Sequence, residues 1–236
     1  MKKIFLVLIV IAVLMGAKNM LKNGGSVLPS SGGVELVNPY PPSSPLYADH
    51  QAFVDKFNSN AKLKARYSGD LTSKGLYAAW DQAFSRGARS FPRERLIEMA
   101  KTQAAILPRL PEASCAKLAV PQDDFDQALG KDIQDAIERL PARHHRIVTD
   151  TFYDALLAEI DNAPAIPVDE EALKGAFIDL AQSYPGEYGE RLMRVFSNPA
   201  AASPEDACWA VNSLITTSAQ LSPSHSEALL RKAFGG

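Results

Sequence analysis

Apolar residues recur with a helical period over most of this 236-residue chain, and this pattern limits the fold more than any other feature. Within residues 123–140 the apolar side chains follow one another at intervals of four or three residues, which places them on one face of an α-helix. The residues of this face are Phe125, Leu129, Ile133, Ile137 and Leu140. Similar stripes occur from about residue 47 to the C-terminus.

Helix start and stop signals divide the pattern into short segments. Ser203 followed by Pro204 is typical of a helix N-terminus, and Ser222 followed by Pro223 repeats this arrangement near the end of the chain. The sequence therefore predicts an all-α domain over residues 47–236, built from about seven or eight short amphipathic helices.

The N-terminal segment MKKIFLVLIVIAVLMGAKNMLKNGG is typical of an export signal or a membrane anchor. Lys2 and Lys3 precede an apolar run from Ile4 to Ala17, which is the layout of a signal peptide. A cleavage site needs small residues of the A-x-A kind, but a cut after Ala17 would place Met15 at the −3 position. The missing small residue favours a segment that is retained.

The length of the apolar run argues the other way, against a membrane span. From Ile4 to Ala17 it spans about 21 Å, less than the roughly 30 Å of a hydrocarbon core, and extension to Leu21 gives about 27 Å if the Lys18 stem reaches the interface. We predict an uncleaved single-pass anchor over residues 1–22, in contact with the inner membrane through residues 4–21, with the bulk of the chain in the periplasm. The alternative is a cleaved signal that leaves a soluble periplasmic or secreted protein.

The next segment, residues 23–46, is predicted to be a flexible linker. Its sequence NGGSVLPSSGGVELVNPYPPSSPL is rich in glycine in the first half and in proline in the second, a composition typical of linkers. Residues 34–37 (VELV) are the exception, because they are suited to a short strand or to docking on the domain.

Charge is unevenly distributed along the chain. The first 25 residues hold four of the 25 basic side chains and no acid, so the remainder has 21 basic and 27 acidic side chains. A domain with this balance lacks the general basic surface that binds nucleic acids non-specifically. We therefore predict no nucleic-acid partner.

The two cysteines, Cys115 and Cys208, are candidates for a disulfide bond. An even number of cysteines in a chain with an export signal is often paired, and the alternative is two buried thiols. Cys208 shares a helical face with Val211 and Ile215, so its side chain is expected to point inward. Neither cysteine belongs to a C-x-x-C motif, so the sequence gives no support for a zinc site or thioredoxin-type chemistry.

His144 and His145 are adjacent at the start of a predicted helix. Their helical angles place them on either side of the stripe formed by Val148 and Phe152, at its two edges. A metal site would need a further ligand three or four residues along, where residues 147–149 offer none, and HExxH is absent. We predict histidines with local hydrogen bonds, and keep a metal or acid–base role as the alternative.

The two tryptophans have different predicted environments. Trp80 lies at helical spacing with Leu76 and Phe84 and is predicted to be core. Trp209 lies near the edge of its apolar stripe, where it would anchor a partner or pack beside a disulfide.

Signatures of common enzymes are absent from the sequence. It contains no G-x-S-x-G elbow and no glycine-rich phosphate-binding loop. Acidic clusters such as residues 169–171 are predicted to complement helix N-termini, and Ser222 with His225 is predicted to be a helix cap and first turn rather than a catalytic pair. We predict no catalytic residue, cofactor or metal.

These observations favour a membrane-tethered, extracytoplasmic helical protein of a bacterial envelope that acts by binding another envelope protein. It would serve as an assembly factor, scaffold or inhibitor, with His144, His145 and Trp209 as candidate contact or pocket residues. The main alternative is a helical hydrolase that acts on cell-wall or lipid material through carboxylates or through His144 and His145. A third hypothesis is a carrier that holds a small ligand in a helical cavity.

Overall fold

The computed structural model describes residues 28–30, 33–67, 73–119 and 127–235. The predicted membrane anchor, residues 1–22, lies outside these residues. None of the helices in the described part of the chain is long and apolar enough to cross a membrane.

Most of the described residues are helical, which confirms the prediction of an all-α fold. Two short strands, β1 (Leu28–Ser30) and β2 (Gly33–Glu35), pair as an antiparallel hairpin. Two 3₁₀ helices span Leu107–Arg109 and Pro199–Ala201. The α-helices of the described residues are, in chain order, α1 (Tyr47–Ser59), α2 (Ala61–Arg66), α3 (Ser73–Ala88), α4 (Arg93–Ile106), α5 (Glu112–Lys117), α6 (Gln127–Glu138), α7 (Ala142–Ile160), α8 (Glu170–Gln182), α9 (Glu187–Ser197), α10 (Pro204–Ser218) and α11 (Pro223–Gly235).

The described residues form more helices than the seven or eight that the sequence predicts. Helices α2 and α5 have only six residues each, which is too short to show a 3.6-residue repeat. Helix α2 is instead defined by its cap, because the side chain of Asn60 accepts hydrogen bonds from the backbone N–H groups of Lys62 and Leu63, both at 3.1 Å.

Aromatic side chains from α1, α3 and α7 form the centre of the core. Trp80 is 1% exposed, as predicted from its helical spacing, and its ring lies 5.3 Å from that of Phe152. Phe53 contacts both rings, and Phe84 stacks on Phe152 at 5.9 Å. Offset and edge-to-face contacts of this kind stabilise aromatic clusters beyond their buried area. Helix α7 is thereby fixed between α1 and α3.

The C-terminal helices pack on the same core. Helix α11 contacts α3, α4 and α8, and α10 contacts α4, α5 and α9. Arg231 is 2% exposed and donates a hydrogen bond to the backbone oxygen of Arg89, while the Arg89 side chain donates to the backbone oxygen of Gly235 at 2.8 Å. These contacts join the last helix to the turn between α3 and α4.

The second half of the predicted linker packs on the helical domain. Leu36, Tyr40 and Leu46 are buried. Asn58 holds the segment to α1, because its side chain accepts a hydrogen bond from the backbone N–H of Leu36 and donates one to its carbonyl oxygen, both at 2.8 Å. The packed domain therefore begins at about residue 36, before the predicted boundary at residue 47. The VELV segment does both things expected of it, since Val34 and Glu35 lie in β2 and Leu36 docks on the domain.

Candidate functional site

A disulfide bond links Cys115 of α5 to Cys208 of α10, with the two Cα atoms 5.0 Å apart. This confirms the predicted pair and excludes the alternative of two free thiols. Cys115 is fully buried, and Cys208 packs against the core from its edge. The bond fixes the start of α10, where the residue next to Cys208 is Trp209.

Trp209 lies at the centre of a group of side chains from α9, α10 and the turn before α9. Tyr184 meets the indole edge to face at 5.6 Å, and the ring of Tyr188 lies 6.2 Å away. The guanidinium of Arg191 lies over the indole, 4.8 Å from the ring centroid, within the range of a cation–π contact. We call these four residues the Trp209 surface.

The orientation of Arg191 is set by the indole on one side and by acidic residues of α10 on the other. Its Nε donates a hydrogen bond to Oδ1 of Asp206 at 2.7 Å, and its Nη2 also contacts Asp206 and lies 3.6 Å from Glu205. Hydrogen bonds from Arg191 lower the pKa of Asp206, and the same pairing raises the pKa of Arg191. The guanidinium plane is thus held over the indole by a carboxylate that remains ionised.

Local sequence explains why Asp206 stands in this position. Ser203 caps α10 by accepting a hydrogen bond from the backbone N–H of Asp206 at 3.1 Å, and Pro204 occupies the first turn. Acidic residues are favoured in the first turn because they complement the helix dipole. The helix start predicted from Ser203 and Pro204 therefore also positions the partner of Arg191.

The Trp209 surface is rigid at its base and exposed at its rim. The Tyr184 hydroxyl lies 2.9 Å from Oγ1 of Thr217, which fixes that ring on α10. Tyr188, in contrast, is 50% exposed and is among the most exposed large apolar side chains of the described residues. Trp, Tyr and Arg are the residue types that contribute most to protein-binding hot spots.

His144 is buried and hydrogen-bonded, at 7% exposure. Arg143 donates to its Nε2 at 3.3 Å, so the ring proton is on Nδ1, which lies 3.2 Å from Oγ1 of Thr102 on α4. Burial and then the charge of Arg143 lower the pKa of His144. The imidazole is neutral at pH 7.

His145 is also buried, at 3% exposure, and its Nε2 donates to the carbonyl oxygen of Ile137 on α6 at 2.8 Å. Both imidazoles lie deeper than the edge positions that the sequence predicts, because α4 and α6 cover the two edges of α7. They point away from each other, toward different helices. Within the described residues, neither imidazole is hydrogen-bonded to a carboxylate.

The remaining candidate side chains have structural partners. The carboxylate of Asp169 accepts hydrogen bonds from the backbone N–H groups of Glu171 and Ala172, which is the predicted helix-terminal role. Nδ1 of His225 lies 2.7 Å from the carboxylate of Asp179 on α8. The described residues contain no group of three or more His, Cys, Asp or Glu side chains that could hold a metal ion.

Sequence reasoning did not find the partners of Trp209 or the residues that surround His145. Tyr188 and Arg191 are three residues apart and so share a helix face, but only the packing of α9 on α10 brings that face to Trp209. His50 lies three and seven residues before Phe53 and Phe57. This spacing was a signal that its imidazole is buried in the apolar face of α1.

Together the fold and the site define a disulfide-linked all-α domain that presents an aromatic and arginine surface beside the disulfide. No protein-family model, no curated protein and no solved structure matches the chain.

Proposed function

We propose that the chain is an inner-membrane protein held by residues 1–22, whose periplasmic helical domain binds another envelope protein through the Trp209 surface. Its role is that of an assembly factor, scaffold or inhibitor. The observation that carries this proposal is the cluster in which the exposed Tyr188 and the half-buried Arg191 of α9 pack on the half-buried Trp209 of α10, the helix whose start is fixed by a disulfide.

The disulfide supports a location outside the cytoplasm. Such bonds form and persist in the periplasm and other oxidising compartments, and are rare where glutathione and thioredoxin keep thiols reduced. The lysine-led apolar segment at the N-terminus supports the same location, because it is the kind of sequence that directs a chain to the membrane. In this proposal residues 23–35 join the anchor to the domain.

The physical properties of the Trp209 surface suit it to protein binding. Arg191 is already paired with Asp206 and stacked on the indole, so a partner would meet a preorganised surface and immobilise few additional side chains. Tyr188 and Trp209 supply amphipathic rings that bury well while keeping a polar atom for hydrogen bonding.

Charge at the rim indicates the chemistry of the partner. Glu187 and Glu190 flank the exposed face of α9, and Glu205 stands in the first turn of α10; all three are exposed. Complementary charge increases the rate and specificity of association. We therefore expect a protein partner whose contact face combines an apolar centre with lysine or arginine at its rim.

Photocrosslinking in cells tests this proposal directly. A benzophenone amino acid replaces Tyr188, which is exposed enough to be changed without disturbing the core, and the matched control carries it at Ile166, which is 40% exposed and distant in sequence. We expect an adduct with one envelope protein from position 188 that does not form from position 166. Adding the substitution W209A to the Tyr188 probe is expected to remove that adduct.

Two results would contradict the proposal. The first is the same set of adducts from positions 188 and 166, which would show that the probe crosslinks nonspecifically to neighbouring proteins. The second is an adduct from position 188 whose yield is unchanged by W209A in a variant that keeps the helical circular dichroism of the parent.

One observation bears on the alternative of a helical hydrolase. His145 of α7 and Asp49 of α1 line the same pocket, so an acid from a different helix is present there. The carboxylate of Asp49 is paired with Arg146 at 3.3 Å, and the pocket hydroxyl of Thr149 donates to backbone oxygens. These bonds engage Asp49 and Thr149 in structural contacts, so neither group is placed to activate a nucleophile.

A further inference from the structure

Residues 36–46, which we call the docked segment, lead from the β-hairpin to α1 and pack on the helical domain without forming a helix or a strand. Four of its eleven residues are prolines, which have no backbone N–H to donate. Leu36 is held by the side chain of Asn58, and the Asn38 side chain donates to the backbone oxygen of Tyr47 at 3.0 Å. Segments with few backbone hydrogen bonds open at a lower free energy than packed helices do.

The docked segment covers the imidazole of His50 in α1. Tyr40 and Leu46 of the segment are buried and line the same pocket as His50. The Tyr40 ring meets the imidazole edge to face at 5.0 Å, and the ring of Phe53 lies 5.6 Å from it. The imidazole is only 4% exposed. Departure of the docked segment would remove the Tyr40 and Leu46 side chains and expose this ring to solvent.

The surroundings of His50 favour its neutral form. Within the described residues, neither of its ring nitrogens has a hydrogen-bond partner. A protonated imidazole has two N–H donors, and a buried charge whose donors lack acceptors is costly. Burial accordingly lowers the pKa of His50 to about 4. The ring therefore takes up a proton more readily once it has reached solvent.

Other titratable and charged groups lie near His50 on each element packed around it. They are Tyr40 of the docked segment, Asp49 of α1, Glu138 of α6, whose charge acts on Tyr40, and His145 and Arg146 of α7. Asp49 is paired with Arg146 at 3.3 Å, and Nε2 of His145 donates to the carbonyl oxygen of Ile137 at 2.8 Å. The ring of His50, in contrast, contacts the docked segment itself. Its protonation is thus the one most directly linked to the position of that segment.

We propose that acid releases the docked segment: its departure from α1 exposes His50, and protonation of the exposed imidazole keeps the segment open. Release adds eleven residues to the connection that leads to the helices, a length of about 36–40 Å when fully extended. If residues 1–22 are an anchor, which rests on the proposed function, acid then allows the domain to move farther from the membrane. The release itself depends neither on that anchor nor on the protein partner.

Amide hydrogen exchange of the full-length chain tests this proposal at pH 7.5 and pH 4.5. The probes are the backbone N–H of Leu36, which is bonded to Asn58, and that of Phe152 in α7. Each rate is compared with the intrinsic rate at the same pH to give a protection factor. We expect Leu36 to be protected roughly 100-fold less than Phe152 at pH 7.5. Because the pKa of His50 is 6.5 in the open form and about 4 in the closed form, the protection of Leu36 should fall about 50–100-fold between the two pH values.

Three variants test the role of His50 in this release. H50L and H50M place an apolar side chain without a titrating group in the same space, and in both we expect the protection of Leu36 to stay nearly constant between pH 7.5 and pH 4.5. H225L, which changes a partly exposed histidine of α11, is expected to keep the fall seen in the wild type.

Three results would overturn the proposal. The first is equal protection of Leu36 and Phe152, which would show that the docked segment opens only when the whole domain unfolds. The second is a protection factor of Leu36 that does not change with pH in the wild type. The third is a fall in that protection factor that persists in both H50L and H50M.

Discussion

His50 and His144 show how the surroundings of a side chain set its chemistry. Both imidazoles are buried. Thr102 and Arg143 contact the two ring nitrogens of His144, whereas in the described part of the chain neither ring nitrogen of His50 has a hydrogen-bond partner. Burial lowers the pKa of His50 to about 4, from an ordinary value of 6.5. Protonation of this one side chain therefore opposes folding.

The first prediction concerns stability in acid. Because the folded pKa of His50 is below its unfolded value, the unfolded chain binds the proton more readily, and stability is lost as the pH falls from 6.5 toward 4. Between pH 7.5 and 4.5 the loss from His50 is about 2–3 kcal/mol. Replacement by leucine is expected to remove the pH dependence that comes from His50. The free energy of unfolding of H50L, measured in urea, should therefore change less with pH than that of the wild type.

The control for this prediction is H225L, which changes a partly exposed histidine on α11. As the pH falls from 7.5 to 4.5, the free energy of unfolding of H50L should rise relative to that of the wild type by about 2–3 kcal/mol. Parallel curves over this range would show that His50 is not the buried group that resists protonation.

At the scale of elements, α3 and α7 approach each other closely at Gly87. A Cβ atom placed on Gly87 would lie 1.9 Å from the backbone oxygen of Ala155. Glycine near the end of α3 allows this contact, and the aromatic cluster of Trp80, Phe84 and Phe152 packs beside it. The role of Gly87 in packing was not predicted from the sequence, because it depends on a helix far along the chain.

The second prediction is that G87A destabilises the domain by about 1–3 kcal/mol, because the added methyl group collides with backbone that cannot rotate away. In an open helix the same substitution would stabilise by about 1 kcal/mol, so the sign of the change is informative. The matched control is Q82A, at an exposed position of α3, which is expected to stay within about 0.5 kcal/mol of the wild type. Urea unfolding measures both, and a stabilised G87A would contradict the close packing of α3 on α7.

The third prediction concerns the link between α5 and α10. The disulfide joins residues 93 positions apart, and a bridge over a loop of this size stabilises by about 3–5 kcal/mol. We expect the double variant C115A/C208A to lose that amount and to become insensitive to dithiothreitol. Equal unfolding midpoints for the oxidised and reduced wild-type protein would contradict this prediction.

Local patterns accounted for the features that depend on neighbours in sequence. The helical period, the caps at Ser203 and Asp169 and the burial of Trp80 all follow from residues within a few positions of one another. Features that depend on distant residues were missed. Docking of residues 34–37 was expected, but its partner Asn58 was not, and the shared pocket of His50 and His145 arises only when separate helices pack together.

At the scale of the whole molecule, the pocket that contains His145 and the Trp209 surface lie on different parts of one helical body. The pocket lies between α1, α6 and α7, and the Trp209 surface lies on α9 and α10. Helix α4 contacts both α7 and α10, so a rigid element connects the two regions. We propose that a membrane anchor at residues 1–22 holds this body outside the cytoplasm.

The central claim is that a retained anchor holds a disulfide-linked domain in an oxidising compartment. The most direct test is the intact mass of the chain from the membrane and soluble fractions of cells, alkylated with and without prior reduction. We predict the full-length mass in the membrane fraction, with two alkyl groups added only after reduction, one each at Cys115 and Cys208. A shortened chain in the soluble fraction, or alkylation without reduction, would contradict this account.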